Sequence, residues 1–101
     1  MPAGPRRPGR RIRNGNRDRG GIAGIRAHGQ RIVIETKDCA RTELAAWIRE
    51  AHTEAGNDDA LAGVVVSKRR GVGDPLSQWV HMELRDLIAL LTGQPQDGRY
   101  E

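Results

Sequence analysis

The apolar residues of this chain fall into short blocks that are separated by turn-forming residues. Residues 21–26, GIAGIR, and residues 31–37, RIVIETK, each have the composition of a β-strand. The AHGQ segment between them carries Gly29 and favours a turn. The pattern therefore predicts a hairpin of two strands.

A helix is predicted to follow this hairpin in the segment TELAAWIREAHTEAG. Its apolar residues recur at helical spacing, at Leu44, Ile48, Ala51 and Ala55. Thr42 is expected to be the N-cap, and Gly56 and Asn57 are expected to end the helix. On the other helix faces, Glu50 and Glu54 are expected to be solvated.

The second half of the chain predicts two more strands and a short helix. A continuous apolar run at about 63–68 is typical of a buried central strand. A basic Gly/Pro loop separates it from a fourth strand at about 78–83, in which Trp79 is expected to be a core residue. A closing helix is predicted at about 84–92, where Gly93 ends it.

The predicted order is strand, strand, helix, strand, strand, helix. A helix that leads to a buried apolar strand is typical of a crossover between parallel strands, whereas a hairpin is antiparallel. The sequence therefore predicts an α/β fold with a mixed four-stranded sheet that is flanked by helices.

The length and composition limit the chain to one small domain. It has 101 residues, three aromatic residues and no Phe, so the core must consist of aliphatic side chains. Cys39 is the only cysteine, which excludes an intrachain disulfide and suits a reducing compartment. No apolar run approaches the roughly 20 residues of a membrane span, and no secretory signal is recognisable. These features predict a soluble cytoplasmic protein.

The charge is distributed unevenly along the chain. Residues 1–31 contain nine arginines and one acid, a net charge of +8, whereas residues 32–101 carry a net charge of −4. Residues 1–17, rich in Arg, Pro and Gly, are expected to form a disordered basic arm. A domain at 18–93 and a flexible tail at 94–101 are expected to follow. The basic arm indicates a polyanionic partner, most simply nucleic acid, although a solubilising tail would have the same composition.

Glu35 and Lys37 end the second predicted strand and should point to the same side, because strand side chains alternate. Such a pair is either the solvated end of a strand or half of a metal site. In a nuclease the carboxylate would hold Mg²⁺ and the ammonium would lie near the attacking water or the phosphate. An E-x-K pair alone is common and unspecific. The three histidines, His28, His52 and His81, lack the spacing of a zinc site.

A more specific signal is the ordered set DRGGIAGI, IVIETKD and WIREAHTEAGNDDALAGVVVSKRRGVGDP. From about residue 14 to residue 91 the chain resembles the small phage-type Holliday junction resolvases of the PD-(D/E)XK nuclease superfamily. The resemblance implies a restriction-endonuclease-like core and a homodimer. It also implies Mg²⁺-dependent (or Mn²⁺-dependent) hydrolysis of phosphodiester bonds in branched DNA such as a four-way junction.

The resemblance also implies a role for individual residues. Glu35 matches the metal-binding glutamate, and Lys37 matches the catalytic lysine. Lys68, Arg69 and Arg70 fall on the basic strand-to-loop segment that would face DNA. Arg17, at the end of the basic arm, and Arg19, just after it, are also expected to contact DNA.

The chain departs from the family pattern in two places. Gly21 stands where the family has a metal-binding aspartate, and Asp18 is the nearest acid that could replace it. The family's acidic N-terminal helix also has no counterpart in residues 1–17. Three functions therefore remain open: an active endonuclease, an impaired homologue that binds branched or duplex DNA or a protein partner without cutting, and a small structural or interaction protein with no DNA role.

Overall fold

The computed structural model describes Ile22 and residues 24–96. Their elements in chain order are β1 (Arg26–Ala27), β2 (Gln30–Lys37), α1 (Leu44–Asn57), β3 (Ala62–Ser67), a 3₁₀ turn (Pro75–Ser77), β4 (Trp79–His81) and α2 (Leu84–Thr92). The predicted α/β class is confirmed. Neither helix in this part of the chain is long and apolar enough to cross a membrane.

The four strands form one mixed sheet in the order β1-β2-β3-β4. β2 and β3 are parallel and α1 connects them, whereas β1 and β4 pair antiparallel to their neighbours. In the parallel pair, Glu35 lies beside Val65 and Lys37 lies beside Ser67. The mixed sheet with a helical crossover therefore agrees with the prediction.

The first strand is shorter and later than predicted. Ile22 forms only an isolated bridge to Ile34, and the regular pairing begins at Arg26. Gly24 interrupts the segment with a φ of +85°, which lies outside the extended conformation of a strand. The predicted turn is confirmed: His28 and its neighbouring glycine both have positive φ, as two-residue hairpin turns of type I′ require.

The N-cap of helix α1 lies one residue after the expected Thr42. Glu43 occupies the N-cap position and makes no side-chain capping hydrogen bond. The helix ends at Asn57, as predicted. Its buried residues are Trp47, Ile48, Ala51 and Ala55, while Leu44 remains exposed. The predicted apolar face is correct apart from its first member, which is exposed in the first turn of the helix.

The two helices contribute to different apolar clusters. Against α1, Val65 packs with Trp47, Ile48 and Ala51. Against α2, the second cluster contains Ile32, Leu61, Ala62 and Ala89. Since Ala62 and Val65 are three residues apart on one strand, the clusters lie on opposite faces of the sheet. Glu35 and Lys37 share the α1 face with Val65 and Ser67, because side chains paired in register point to the same side.

Strand β4 is shorter than predicted, and its Trp79 is 57% exposed rather than a core residue. Trp79 pairs with Ser67 at the last position of β3, beyond Val65, which α1 covers. The strand ends after His81, since Glu83 starts α2 as the N-cap of a reciprocal capping box. The prediction for Trp79 is wrong because an apolar residue on an edge strand need not be covered.

Candidate functional site

Glu35 and Lys37 lie at the carboxyl end of β2, on the face that α1 covers. Glu35 is only 7% exposed and is one of two buried charged residues in the described part of the chain. The Lys37 side chain is 17% exposed. The solvated end of a strand therefore does not describe this pair. Acidic side chains are rarely buried to this extent unless their environment compensates the charge.

Helix α1 adds a second carboxylate next to this pair. Lys37 Nζ donates a hydrogen bond of 2.6 Å to Glu50 Oε1. The Glu50 side chain is 55% exposed, in agreement with its predicted position on a solvated helix face, but its carboxylate turns toward the strand. Sequence reasoning missed this contact, because it depends on how α1 crosses the sheet.

Two rows of side chains run across the sheet on the same face. The first row contains Lys37, Ser67 and Trp79, and the second contains Glu35, Val65 and His81. Ser67 Oγ lies 2.8 Å from His81 Nε2 and connects the rows. The ring of His81 in turn meets Trp47 of α1 edge-on at a centroid distance of 6.2 Å. Ser67 and His81 join the candidate site only through strand register, which the sequence pattern does not give.

The predicted basic segment directly follows Ser67, the β3 residue of the first row. Lys68 N donates to Lys37 O at 2.8 Å, so this segment begins beside the end of β2. Lys68 and Arg70 are exposed, and Arg69 is half-buried. Arg69 packs its guanidinium over the Trp79 ring, with Cζ 4.1 Å from the ring centroid. The structure therefore brings the three basic residues close to the carboxyl end of β2.

The loop after Arg69 is held by its own side chains. The Gln78 amide donates to Val72 O and to Asp74 O, at 3.0 and 2.8 Å. The Asp74 carboxylate accepts from Leu76 N at 2.9 Å and from Ser77 Oγ at 3.1 Å. The loop thus has a defined conformation, and Arg69 is bonded to it through Ser77 and Gln78.

The carboxylates on this face suit a magnesium ion in their chemistry. Mg²⁺ prefers oxygen ligands, retains several waters and is commonly held by one or two protein carboxylates. Glu35 and Glu50 are the carboxylates next to Lys37 on the α1 face. Four residues of the sequence-based site, Arg17, Asp18, Arg19 and Gly21, lie outside the described residues.

A second group of possible metal ligands joins α1 to α2. One ligand atom from each of His52, Glu83 and Asp86 lies within 4.8 Å of the others. Asp86 is 1% exposed and accepts hydrogen bonds from Gly63 N and Glu83 N, and one of its oxygens is 2.7 Å from His52 Nε2. Both carboxylate oxygens thus have protein partners. Gly63 lies near the start of β3, at the opposite end from Lys37, so this group is separate from the candidate site. Its hydrogen bonds connect α1, β3 and α2.

The chain was compared with models of protein families, with curated proteins and with solved structures, and none of them matched.

Proposed function

We propose that this chain is a Mg²⁺-dependent endonuclease of the Holliday junction resolvase type, which hydrolyses phosphodiester bonds in branched DNA. The observation that carries the proposal is the buried Glu35 on one sheet face with Lys37, whose ammonium contacts Glu50. Burying a carboxylate and part of an ammonium removes charged groups from water, which costs free energy that a small domain must offset. It suits metal-assisted phosphodiester hydrolysis, in which a carboxylate would hold the metal ion and a nearby cation would stabilise charge on the phosphate.

Each residue has a distinct role in this proposal. Glu35 and Glu50 would hold Mg²⁺ or Mn²⁺, and such an ion polarises a phosphoryl oxygen and lowers the pKa of a bound water. Lys37 would stabilise the negative charge that develops on the phosphate. Its hydrogen bond to Glu50 fixes the ammonium at the end of β2, so that little reorganisation is needed during the reaction.

The charge distribution supports a DNA substrate. Lys68 and Arg70 are exposed beside the end of β2, and residues 1–31, with nine arginines and one acid, carry a net charge of +8. Binding through phosphates releases counterions, so the affinity should fall steeply with salt. The preference for a four-way junction and the homodimer come from the family resemblance alone and belong to the same proposal.

The test is a cleavage assay on a four-way junction in Mg²⁺ or Mn²⁺, with EDTA as the metal-free reference. The unmodified chain is compared with Glu35→Gln, Lys37→Met and Asp38→Asn. Asp38 is the matched control, because its carboxylate is exposed and directly follows Lys37. We expect metal-dependent cutting that both site variants lose and the control retains. Equal cutting by Glu35→Gln, or neither binding nor cutting by the folded chain, would overturn the proposal.

A second function, DNA binding without cutting, is favoured by one observation. Gly21 stands where the resembling family has a metal-binding aspartate, and glycine has no side chain to ligate. For this function we expect salt-sensitive binding of the junction without cutting, together with the appearance of metal-dependent cutting in Gly21→Asp. Cutting by the unmodified chain would exclude it.

A further inference from the structure

Trp79 is a large aromatic side chain that is exposed on the edge strand β4. It is 57% exposed, whereas Trp47 of α1 is buried. Trp and Tyr are enriched where proteins bind partners, because they offer a large rigid contact surface at low entropic cost. A single exposed apolar residue is common, so the argument depends on what surrounds the ring.

The guanidinium of Arg69 lies over one face of the Trp79 ring. Its Cζ lies 4.1 Å from the ring centroid. Arg69 is itself fixed, since its backbone N donates to Gln78 Oε1 at 2.5 Å and its Nη1 donates to Ser77 O at 2.8 Å. Because the cation covers one face, the exposed surface of the indole lies on its other face and its edges. The ring is therefore a preorganised platform with one side open.

The platform lies in the same row as Lys37. Trp79 is beside Ser67, and Ser67 is beside Lys37, so the two outer residues are separated by two strand spacings, about 10 Å. One strand of stacked DNA advances roughly 3.4 Å per nucleotide. A phosphate at Lys37 would therefore place a base only a few nucleotides away at the level of Trp79.

The charge around the platform favours a nucleic acid. Lys68 and Arg70 flank Arg69 and are exposed. Asp74 lies in the same loop, but its carboxylate accepts hydrogen bonds from Leu76 N and Ser77 Oγ. Basic residues next to an open aromatic face are the combination by which proteins bind single-stranded nucleic acid.

From these observations we infer that Trp79, supported by Arg69, stacks against an unpaired nucleobase of the DNA whose phosphate is bound at Lys37. The inference deepens the proposed function and rests on it for the position of the phosphate. Stacking of this kind tolerates any base, because every base has a π-face. It selects for DNA with unpaired or splayed bases, as at a branch point, over continuous duplex.

The test uses the full chain in EDTA, so that binding is measured without cutting. The chain contains two tryptophans, so Trp47→Phe leaves Trp79 as the only indole fluorophore. We expect saturable quenching of its fluorescence by an oligothymidylate and by a four-way junction, and weaker quenching by a duplex of equal length. In the chain with Trp47 intact, Trp79→Leu should lower the affinity for the oligonucleotide on the order of tenfold, and Trp79→Phe by less. Leu76→Ala, an exposed apolar side chain of the same loop, is the matched control and should bind normally.

The outcomes separate this inference from the proposed function. If Trp79→Leu binds the oligonucleotide as tightly as the unmodified chain, and DNA does not quench the fluorescence of Trp47→Phe, the stacking role of Trp79 is wrong. The proposed cleavage site would not be affected by that result. Quenching and the loss in Trp79→Leu without metal-dependent cutting would support the platform and contradict the nuclease. A Trp79 signal that depends on protein concentration and not on DNA would assign the ring to an interface between copies of the chain and overturn the inference.

Discussion

Lys37 Nζ and Glu50 Oε1 are 2.6 Å apart and connect the last residue of β2 to the middle of α1. The pair is asymmetric in its surroundings, since the Lys37 side chain is 17% exposed and that of Glu50 is 55% exposed. Water around Glu50 screens the attraction, so the contribution to stability should be small. What the contact does provide is a fixed position for the ammonium next to Glu35.

The first prediction follows from this asymmetry. Glu50→Gln should lower the free energy of unfolding by no more than about 1 kcal/mol, because a screened pair is worth little. Under the proposed function the same change should lower metal-dependent cutting at least roughly tenfold, because it removes a charged oxygen ligand. Urea denaturation and the junction assay give the two values, with Asp38→Asn as the control. A stability loss of several kcal/mol would instead make Glu50 a structural residue.

Gly63 provides a second prediction, on the packing of α1 against the sheet. A Cβ at this position would lie 2.6 Å from Ala51 O and 3.0 Å from Ala51 C, both backbone atoms of the helix. Since a backbone carbonyl cannot rotate away, Gly63→Ala should cost roughly 1–3 kcal/mol, as overpacked cores do. Chemical denaturation measures the change.

Gly73 is the matched control for this substitution. A Cβ added there would have no neighbouring atom within 4 Å, and the residue has no positive φ, so Gly73→Ala should be close to neutral. Equal stability of the two variants would contradict the close approach of α1 to β3.

A third prediction concerns Asp86, whose carboxylate connects β3, α1 and α2. It accepts from Gly63 N and Glu83 N and lies 2.7 Å from His52 Nε2. Asp86→Ala would leave buried donors without a partner and should lower the free energy of unfolding by about 3 kcal/mol or more. Thermal and urea unfolding give the value.

Asp74→Ala is the comparison for Asp86, because Asp74 also caps a helical turn but is exposed. Its loss should cost about 1 kcal/mol. Added Zn²⁺ should leave the Tm of the unmodified chain unchanged. A Zn²⁺-dependent rise in Tm that disappears in Asp86→Ala would contradict the structural role and identify a metal site.

Local signals account for the parts of the fold that the sequence predicted. Helix α2 has its predicted bounds, because Glu83 and Asp86 form a capping box at its start and Gly93 adopts a φ of +79° at its end. The turn at His28 and Gly29 was equally local. Thr42 failed as a cap, since the choice among neighbouring polar residues depends on where the helix meets the sheet.

Only part of the candidate site could be predicted from the sequence. Glu35 and Lys37 share a face by strand alternation, which two residues suffice to show. Ser67 and Glu50 join them through the register of β3 and the crossing of α1, which are properties of contacts between distant segments. Trp79 was misplaced for the same reason, because hydrophobicity does not report whether a neighbouring element covers an edge strand.

The last prediction uses Cys39 as a reporter of where DNA binds. It is the only cysteine of the chain, it is exposed, and it follows Lys37 by two residues. If DNA lies across the end of β2, saturating junction DNA in EDTA should slow the reaction of Cys39 with a maleimide severalfold. High salt should restore the rate, because binding through phosphates is salt-dependent. Mass spectrometry follows the modification, and Cys39→Ser should remain unmodified. An unchanged rate at a DNA concentration that saturates binding would place the DNA on another face of the protein and separate binding from the site at Glu35 and Lys37.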